Sequence, residues 1–207
     1  MKYILLLFVA MLQLPLFSQI TAGDANAVLD KAVAALKADV PVRMDYTYRV
    51  LDADGDVLQA DKGVIYIDGN RYALLMQDMK VWCDGATQWS YMREINEVYV
   101  TDAMSDEAQN LSPLYVMENY RNGRSVLSSV KGGLRVVTLQ AADAGVESVV
   151  LHIADNNNRL VAMFINMPGQ GCVEVTLDGY VSKCGVGDDT FVCPLDEFGE
   201  AEIIDMR

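Results

Sequence analysis

The chain has 207 residues, 52% of them hydrophobic, and a formal net charge of −13. That length suits one domain with a substantial core. The charge argues against binding nucleic acid or an anionic lipid surface, since both need clustered Lys and Arg, and it favours solubility.

The first segment, MKYILLLFVAMLQLPLFSQ, carries Lys2, an apolar run from Tyr3 to Leu12, and small or polar residues at Ser18-Gln19. That is the plan of a secretory signal peptide, with cleavage expected between Ser18 and Ala22. Gln13 and Pro15 interrupt a run already shorter than the ~20 apolar residues of a spanning helix. Residues 1–19 are therefore read as signal and 20–207 as one exported domain. Removing the signal takes away Lys2 and no acid, which leaves a net charge near −14. No cysteine precedes Cys83, so the mature N-terminus offers no thiol for a lipid. Cys83, Cys172, Cys184 and Cys193 suit an oxidising compartment with one or two disulfides; sequence does not choose among the pairings.

Asp24 is placed to cap a helix in which Val28, Leu29, Ala32, Val33 and Leu36 recur at helical spacing, ending near Asp39-Val40-Pro41. The period then changes. In VRMDYTYRV, Met44, Tyr46, Tyr48 and Val50 alternate with Arg43, Asp45, Thr47 and Arg49, which predicts a half-buried strand. ADGD at 53–56 predicts a turn, and GVIYIDGNRYALLM two strands around Asp68-Gly69-Asn70. A hairpin VWCDGATQWSYM and a strand at Glu97–Thr101 follow. From Asp102 to Gly123 the period is helical, with Ser112-Pro113 as N-cap and first-turn proline. LRVVTLQ, SVVLHIA, RLVAMFIN and CVEVTLDGYVSK complete the chain as strands of an antiparallel meander. The expectation is an α+β domain of about ten strands with helices against the sheet.

Centring the hairpin turn on Asp84-Gly85 pairs Cys83 with Ala86 and Trp82 with Thr87. Trp82, Trp89 and Tyr91 then share one face, because side chains alternate with period two. Met44, Tyr46 and Tyr48 form a similar stripe, as do Tyr72, Leu74 and Met76. Such stripes fit an ordinary core or the wall of an apolar cavity. RLVAMFIN is apolar on both faces, which favours a cavity or coverage of both sides.

The sequence holds little that suggests catalysis. His152 is the only histidine and lies in a strand-like run; GxSxG is absent, and the carboxylates sit in turn-like or polar stretches. The cysteine spacings do not match a zinc site, and DADGD at 52–56 lacks the bidentate Glu of a calcium loop. No enzyme, metal or cofactor is expected.

GVIYIDGNRYALLM, WCDGATQWSYMREINEVYV, LSPLYVMENY and the ending AEIIDMR resemble the LolA-like periplasmic outer-membrane lipoprotein carriers, especially the Bacteroidetes-type branch. The likeness covers essentially the whole chain after the signal; DGxTxWxY before a V-x-V strand is its most specific part. The resemblance implies an incomplete, strongly curved antiparallel β-barrel, a half-barrel, with helices as a lid over an apolar cavity. It implies a monomeric periplasmic carrier that receives acylated lipoprotein cargo from an inner-membrane ABC-type releasing complex. Delivery is to an outer-membrane acceptor, with transient membrane-proximal contacts and no covalent step. The cavity residues so implied are Met44, Tyr46, Tyr48, Tyr66, Tyr72, Leu74, Met76, Trp82, Trp89 and Tyr91, with Leu114 and Met117 from the lid. The family's basic-Pro pair is missing. Asp68-Gly69-Asn70-Arg71 stands there instead, so Arg71 is the nearest substitute for a lid-closing arginine. A lipid-binding sensor on the same half-barrel, or a carrier of another envelope lipid, is the alternative.

Overall fold

The computed structural model describes residues 22–105, 108, 124–140, 146–169 and 171–207. Helix α1 spans Ala22–Asp39, with Asp24 in its first turn and Lys37 in its last, each of the sign that the helix dipole favours. Asp24 lies inside the helix and not at the expected cap position. Ala25, Val28, Leu29, Ala32, Val33 and Leu36 are all buried, so the apolar stripe packs as its spacing predicts. Among the described residues no helix is long and apolar enough to cross a membrane.

Twelve strands follow: β1 Val42–Leu51, β2 Val57–Asp68, β3 Arg71–Leu75, β4 Met79–Cys83, β5 Thr87–Met92, β6 Glu97–Asp102, β7 Arg124–Lys131, β8 Leu134–Gln140, β9 Ser148–Ala154, β10 Leu160–Met167, β11 Gly171–Ser182 and β12 Glu202–Asp205. They form one sheet in the order β12-β6-β5-β4-β3-β2-β1-β11-β10-β9-β8-β7. Two antiparallel meanders, β1–β6 and β7–β11, join where β1 pairs with β11. β12 adds parallel to β6 at one edge. The ends of the sheet are β12 and β7, so it does not close into a barrel. Open sheets this wide curl, and bulges at Asp45/Tyr46 and Leu160/Ala162 add local bends.

The prediction of about ten strands missed β7 and β12. Of the expected helical insert, residues 106–107 and 109–123 lie outside the described residues, as do Leu114, Met117 and the expected signal peptide. The turns mostly follow the residue types. Asp52 Oδ1 accepts the backbone N–H groups of Asp54 (3.0 Å) and Asp56 (2.9 Å), which folds the DADGD turn on itself. Gly69 and Gly85 adopt φ of +63° and +95°, a region glycine enters without a Cβ penalty.

The two faces of the sheet are covered differently. On one face α1 lies against β7 and β8, and a single apolar cluster extends across eight adjacent strands, from β4 to β8. On the other, the chain after β11 crosses back toward β6. There Cys193, Phe198 and Ala201 pack on Ala73, Trp82, Val98 and Val100.

Candidate functional site

Strand register assigns the predicted strand residues to faces, because residues directly opposite one another point to the same side. Met44 pairs with Ile65, Ile65 with Leu74, Leu74 with Val81, and Tyr72 with Cys83. Met44, Tyr46, Tyr48, Tyr72 and Leu74 thus lie on the helix-bearing face, and Met76 packs against the same cluster. From the second meander, Leu151, Met163, Val175 and Leu177 join them. Met44, Tyr46 and Tyr72 are buried; Tyr48, Leu74, Met76, Met163, Ile165 and Val175 are only half-buried.

The tryptophan hairpin is on the other side. Trp82 pairs with Ala73 and Trp89, Tyr91 pairs with Lys80, and Ala73 with Tyr66. The expectation that Trp82, Trp89, Tyr91 and Tyr66 share a wall with Tyr72 and Leu74 is therefore corrected. They pack beneath the C-terminal segment, where the Phe198 ring lies 4.3 Å from that of Tyr91 and 5.8 Å from that of Trp82. The hairpin turn is also displaced by one residue. Cys83 pairs with Gln88, and the Asp84 N–H reaches the Thr87 carbonyl at 3.2 Å, so Gly85-Ala86 occupies the centre. This shifts the register by two and preserves the shared face of Trp82, Trp89 and Tyr91.

Arg71 also faces the C-terminal segment. Its guanidinium donates to Asp188 at 2.6 Å, pairs with Asp68, and lies 4.7 Å from the Phe191 ring centroid. Phe191 is fully buried. The described partners of Arg71 thus fasten the turn Asp188–Phe191 to the β2–β3 hairpin.

Polar groups on the helix-bearing face are few, and most are paired. The Tyr72 hydroxyl lies between the side-chain amide of Gln88 and the Ala108 carbonyl, the latter at 3.2 Å. Gln88 is only 3% exposed. Tyr48 accepts a hydrogen bond from Gln59 at 3.0 Å. Tyr180 donates to Asp39 at 2.9 Å, and Arg159 neutralises that carboxylate at 2.8 Å. The Tyr46 hydroxyl is buried without a partner. Desolvation, with Tyr48 and Asp61 nearby, holds it protonated far above the usual tyrosine range.

Two hollows lie away from most of the predicted residues. One hollow of about 590 Å3 lies at the Leu51–Gly171 end, rimmed by Asp52, Asp54, Glu147 and Asn166. A second, of about 220 Å3, is bounded by Arg159, Leu160, Leu177 and Tyr180. The cysteines are also unlike the expectation: all four are free, Cys83 and Cys193 buried and Cys172 and Cys184 half-buried. Cys172 stands near the start of the twelve-residue β11 and Cys184 just past its end, too far apart to bridge. Among the described residues no group of three or more His, Cys, Asp or Glu side chains could hold a metal. His152 lies in β9 with its ring 4.8 Å from that of Phe164, as expected of a strand histidine.

Residues 14–166 match the protein family described as outer membrane lipoprotein carrier protein LolA. The chain belongs to that family. No curated protein matches it by sequence. Among solved structures, an uncharacterized conserved protein from Thermus thermophilus has a TM-score of 0.60 at 10% identity, covering 87% of this chain and 98% of that one. That likeness is one of fold. A LolA superfamily protein from Nitrosomonas europaea covers 83% of this chain and 98% of its own at 11% identity, with a TM-score of 0.45. MucB of Pseudomonas aeruginosa, solved in complex with MucA, has a TM-score of 0.46 at 15% identity, covering 84% of this chain and 62% of that one. Membership in a family described as lipoprotein carriers points to lipid or lipoprotein binding.

Proposed function

We propose that this LolA-family protein is a periplasmic carrier that holds the acyl chains of lipoproteins against the helix-bearing face of its sheet. In this reading it moves them from an inner-membrane ABC-type releasing complex to an outer-membrane acceptor. One observation carries the reading: a face apolar across eight strands leaves Tyr48, Leu74, Met76, Met163, Ile165 and Val175 only half-buried. Each methylene removed from water there contributes about 0.8 kcal/mol, so acyl chains can be held without polar recognition. Binding of that kind is non-directional, and cargo can leave for a more favourable apolar acceptor without any covalent step.

The cavity wall consists of Met44, Tyr46, Tyr48, Tyr72, Leu74 and Met76 with the facing residues of β10 and β11. Leu114 and Met117, which lie outside the described residues, are proposed as its lid. Trp82, Trp89, Tyr91 and Tyr66 drop out, since they lie on the opposite face.

The test is co-expression with a triacylated lipoprotein, followed by native mass spectrometry of the purified soluble protein. A stoichiometric complex that is lost in Val175→Asp, with the melting temperature nearly unchanged, is the expected result. Recovery of the protein empty, or with a free lipid of definite mass, would remove the lipoprotein assignment; the free lipid would then identify the alternative cargo.

A further inference from the structure

Tyr46 sets apart one position on this face. It is 5% exposed, and its hydroxyl is buried without a hydrogen-bond partner among the described residues. The other tyrosine hydroxyls of the same face are matched: Tyr48 with Gln59, Tyr72 with Gln88 and Ala108, Tyr180 with Asp39. Burying a hydroxyl without a partner is unfavourable, because the group gives up its hydrogen bonds to water. Thr101 Oγ1 is also unpartnered, but that residue is only half-buried and lies on β6, beside the edge strand β12 and remote from β1.

The surroundings of Tyr46 define what could satisfy it. Its strand partner is Gly63 on one side and Leu177 on the other. With no side chain on Gly63, the ring extends over β2 and its hydroxyl ends over the glycine. On β2 the next residue, Val64, pairs with Leu75, the last residue of β3. The half-buried apolar side chains Tyr48 and Met76 pack against the same apolar cluster as Tyr46. Every basic residue of β1–β4, namely Arg43, Arg49, Lys62, Arg71 and Lys80, falls on the opposite face by strand alternation. The carboxylate of Asp61, which faces Tyr48, acts electrostatically on Tyr46. A ligand carboxylate would meet repulsion there and no cation. A neutral carbonyl oxygen would accept the hydrogen bond and meet neither penalty.

We propose that the Tyr46 hydroxyl is a specificity-determining donor for the ester or amide carbonyl at the head of an acyl chain. The protein thereby prefers neutral acylated ligands over free fatty acids and over chains lacking a carbonyl. This inference rests on the acyl-binding reading above and adds the ligand's chemical class to it. The ring tilts away from Gly63 as the chain enters, and the carbonyl oxygen accepts the hydrogen bond that the hydroxyl donates. No covalent bond is made or broken.

The experiment compares three probes of equal chain length: 1-palmitoylglycerol, its 1-hexadecyl ether analogue, and palmitate. Binding is read by displacement of an environment-sensitive fluorophore from the purified protein, wild type and Tyr46→Phe. The expected wild type binds the ester about 2- to 10-fold tighter than the ether, the range of one net hydrogen bond, and binds palmitate weakest at pH 8. In Tyr46→Phe the ester falls to the ether's affinity while the ether is unchanged. Equal ester and ether affinity in the wild type, or an ester preference that survives in Tyr46→Phe, overturns the proposal and leaves acyl binding standing. Failure of the wild type to bind any of the three overturns the acyl-binding reading itself. Equal ester and ether affinity in the wild type overturns the proposal even if the variant proves unstable.

Discussion

Tyr46 lies across Gly63, its direct partner on the neighbouring strand, so closely that a Cβ on the glycine would overlap the ring's Cζ and Oη. The glycine lets a bulky aromatic ring lie on the sheet instead of rising from it. Gly63→Ala forces that ring off its site, and overpacking of this kind costs about 1–3 kcal/mol. The loss is expected as a lower urea midpoint at unchanged slope. In a Tyr46→Leu background the same change should cost much less, because the clashing atoms are gone. Equal losses in both backgrounds would place the strain in the backbone.

A second hydroxyl on that face contributes through hydrogen bonding. Tyr72 has one proton to donate but lies between two oxygens, the Gln88 side-chain oxygen and the Ala108 carbonyl. Donation to Ala108 is consistent with a Gln88 amide turned to give its N–H to the tyrosine oxygen. Tyr72→Phe strands a buried amide and should destabilise by about 1–3 kcal/mol. Tyr72→Phe with Gln88→Leu should recover part of this, since no polar group is left unpaired. A double variant less stable than the wild type by the full sum of both single losses would contradict the pairing.

Much of the strand pattern was legible, because single-face burial imposes alternation on each strand. VRMDYTYRV announces β1 by itself. The relation between strands was less accessible. Trp82 and Tyr72 fall on opposite faces because Leu75 pairs with Lys80 across the β3–β4 turn. A register one residue different would have put them together, and Gln77-Asp78 carries no signal that fixes it. β7, RSVLSSVK, is too rich in serine to alternate clearly, and β12 is four residues of an acidic tail. The packing of Phe198 and Cys193 on the tryptophans depends on contacts more than 100 residues apart in sequence, which local periodicity does not encode.

The same packing predicts thiol reactivity. Burial, with Glu197 nearby, pushes Cys193 up to about 11, and burial also raises Cys83. Only the thiolate reacts. Burial and Glu174 raise Cys172 as well, so access decides the order: at pH 8 a disulfide reagent should modify the half-buried Cys172 and Cys184 first, and Cys83 and Cys193 only on unfolding. The sign for stability follows from the same shift. The neutral thiol of Cys193 is favoured in the folded state, so its contribution is complete below the unfolded value near 9 and is lost as pH rises through about 11. Cys193→Ala should flatten the stability decline over that window. A decline that is unchanged in the variant would assign it to other groups.

Arg71 separates two roles that sequence could not distinguish. Its contacts to Asp188 and Phe191 fasten the C-terminal segment. Because the Asp188 side chain is almost fully exposed, the ion pair contributes only about 0.2–1 kcal/mol. Arg71→Ala is expected to speed proteolysis within 183–201 and leave acyl affinity unchanged. Acyl affinity that changes while the C-terminal segment stays protected would restore the lid-closing role.

The division of the sheet into two faces gives the sharpest test of where an acyl chain lies. The chain has two tryptophans, Trp82 and Trp89, and both are on the face beneath the C-terminal segment. Bromine quenches indole fluorescence only at near contact. A brominated acyl chain against Met163, Val175 and Tyr48 would be separated from both indoles by the sheet. Binding should then leave most of the tryptophan emission intact, while Leu74→Trp, placed on the helix-bearing face, should be strongly quenched by the same ligand. Strong quenching of the wild type would put the chain among Trp82, Trp89 and Tyr91 after all, and the C-terminal segment would have to move to admit it. The face is decided by which indole goes dark.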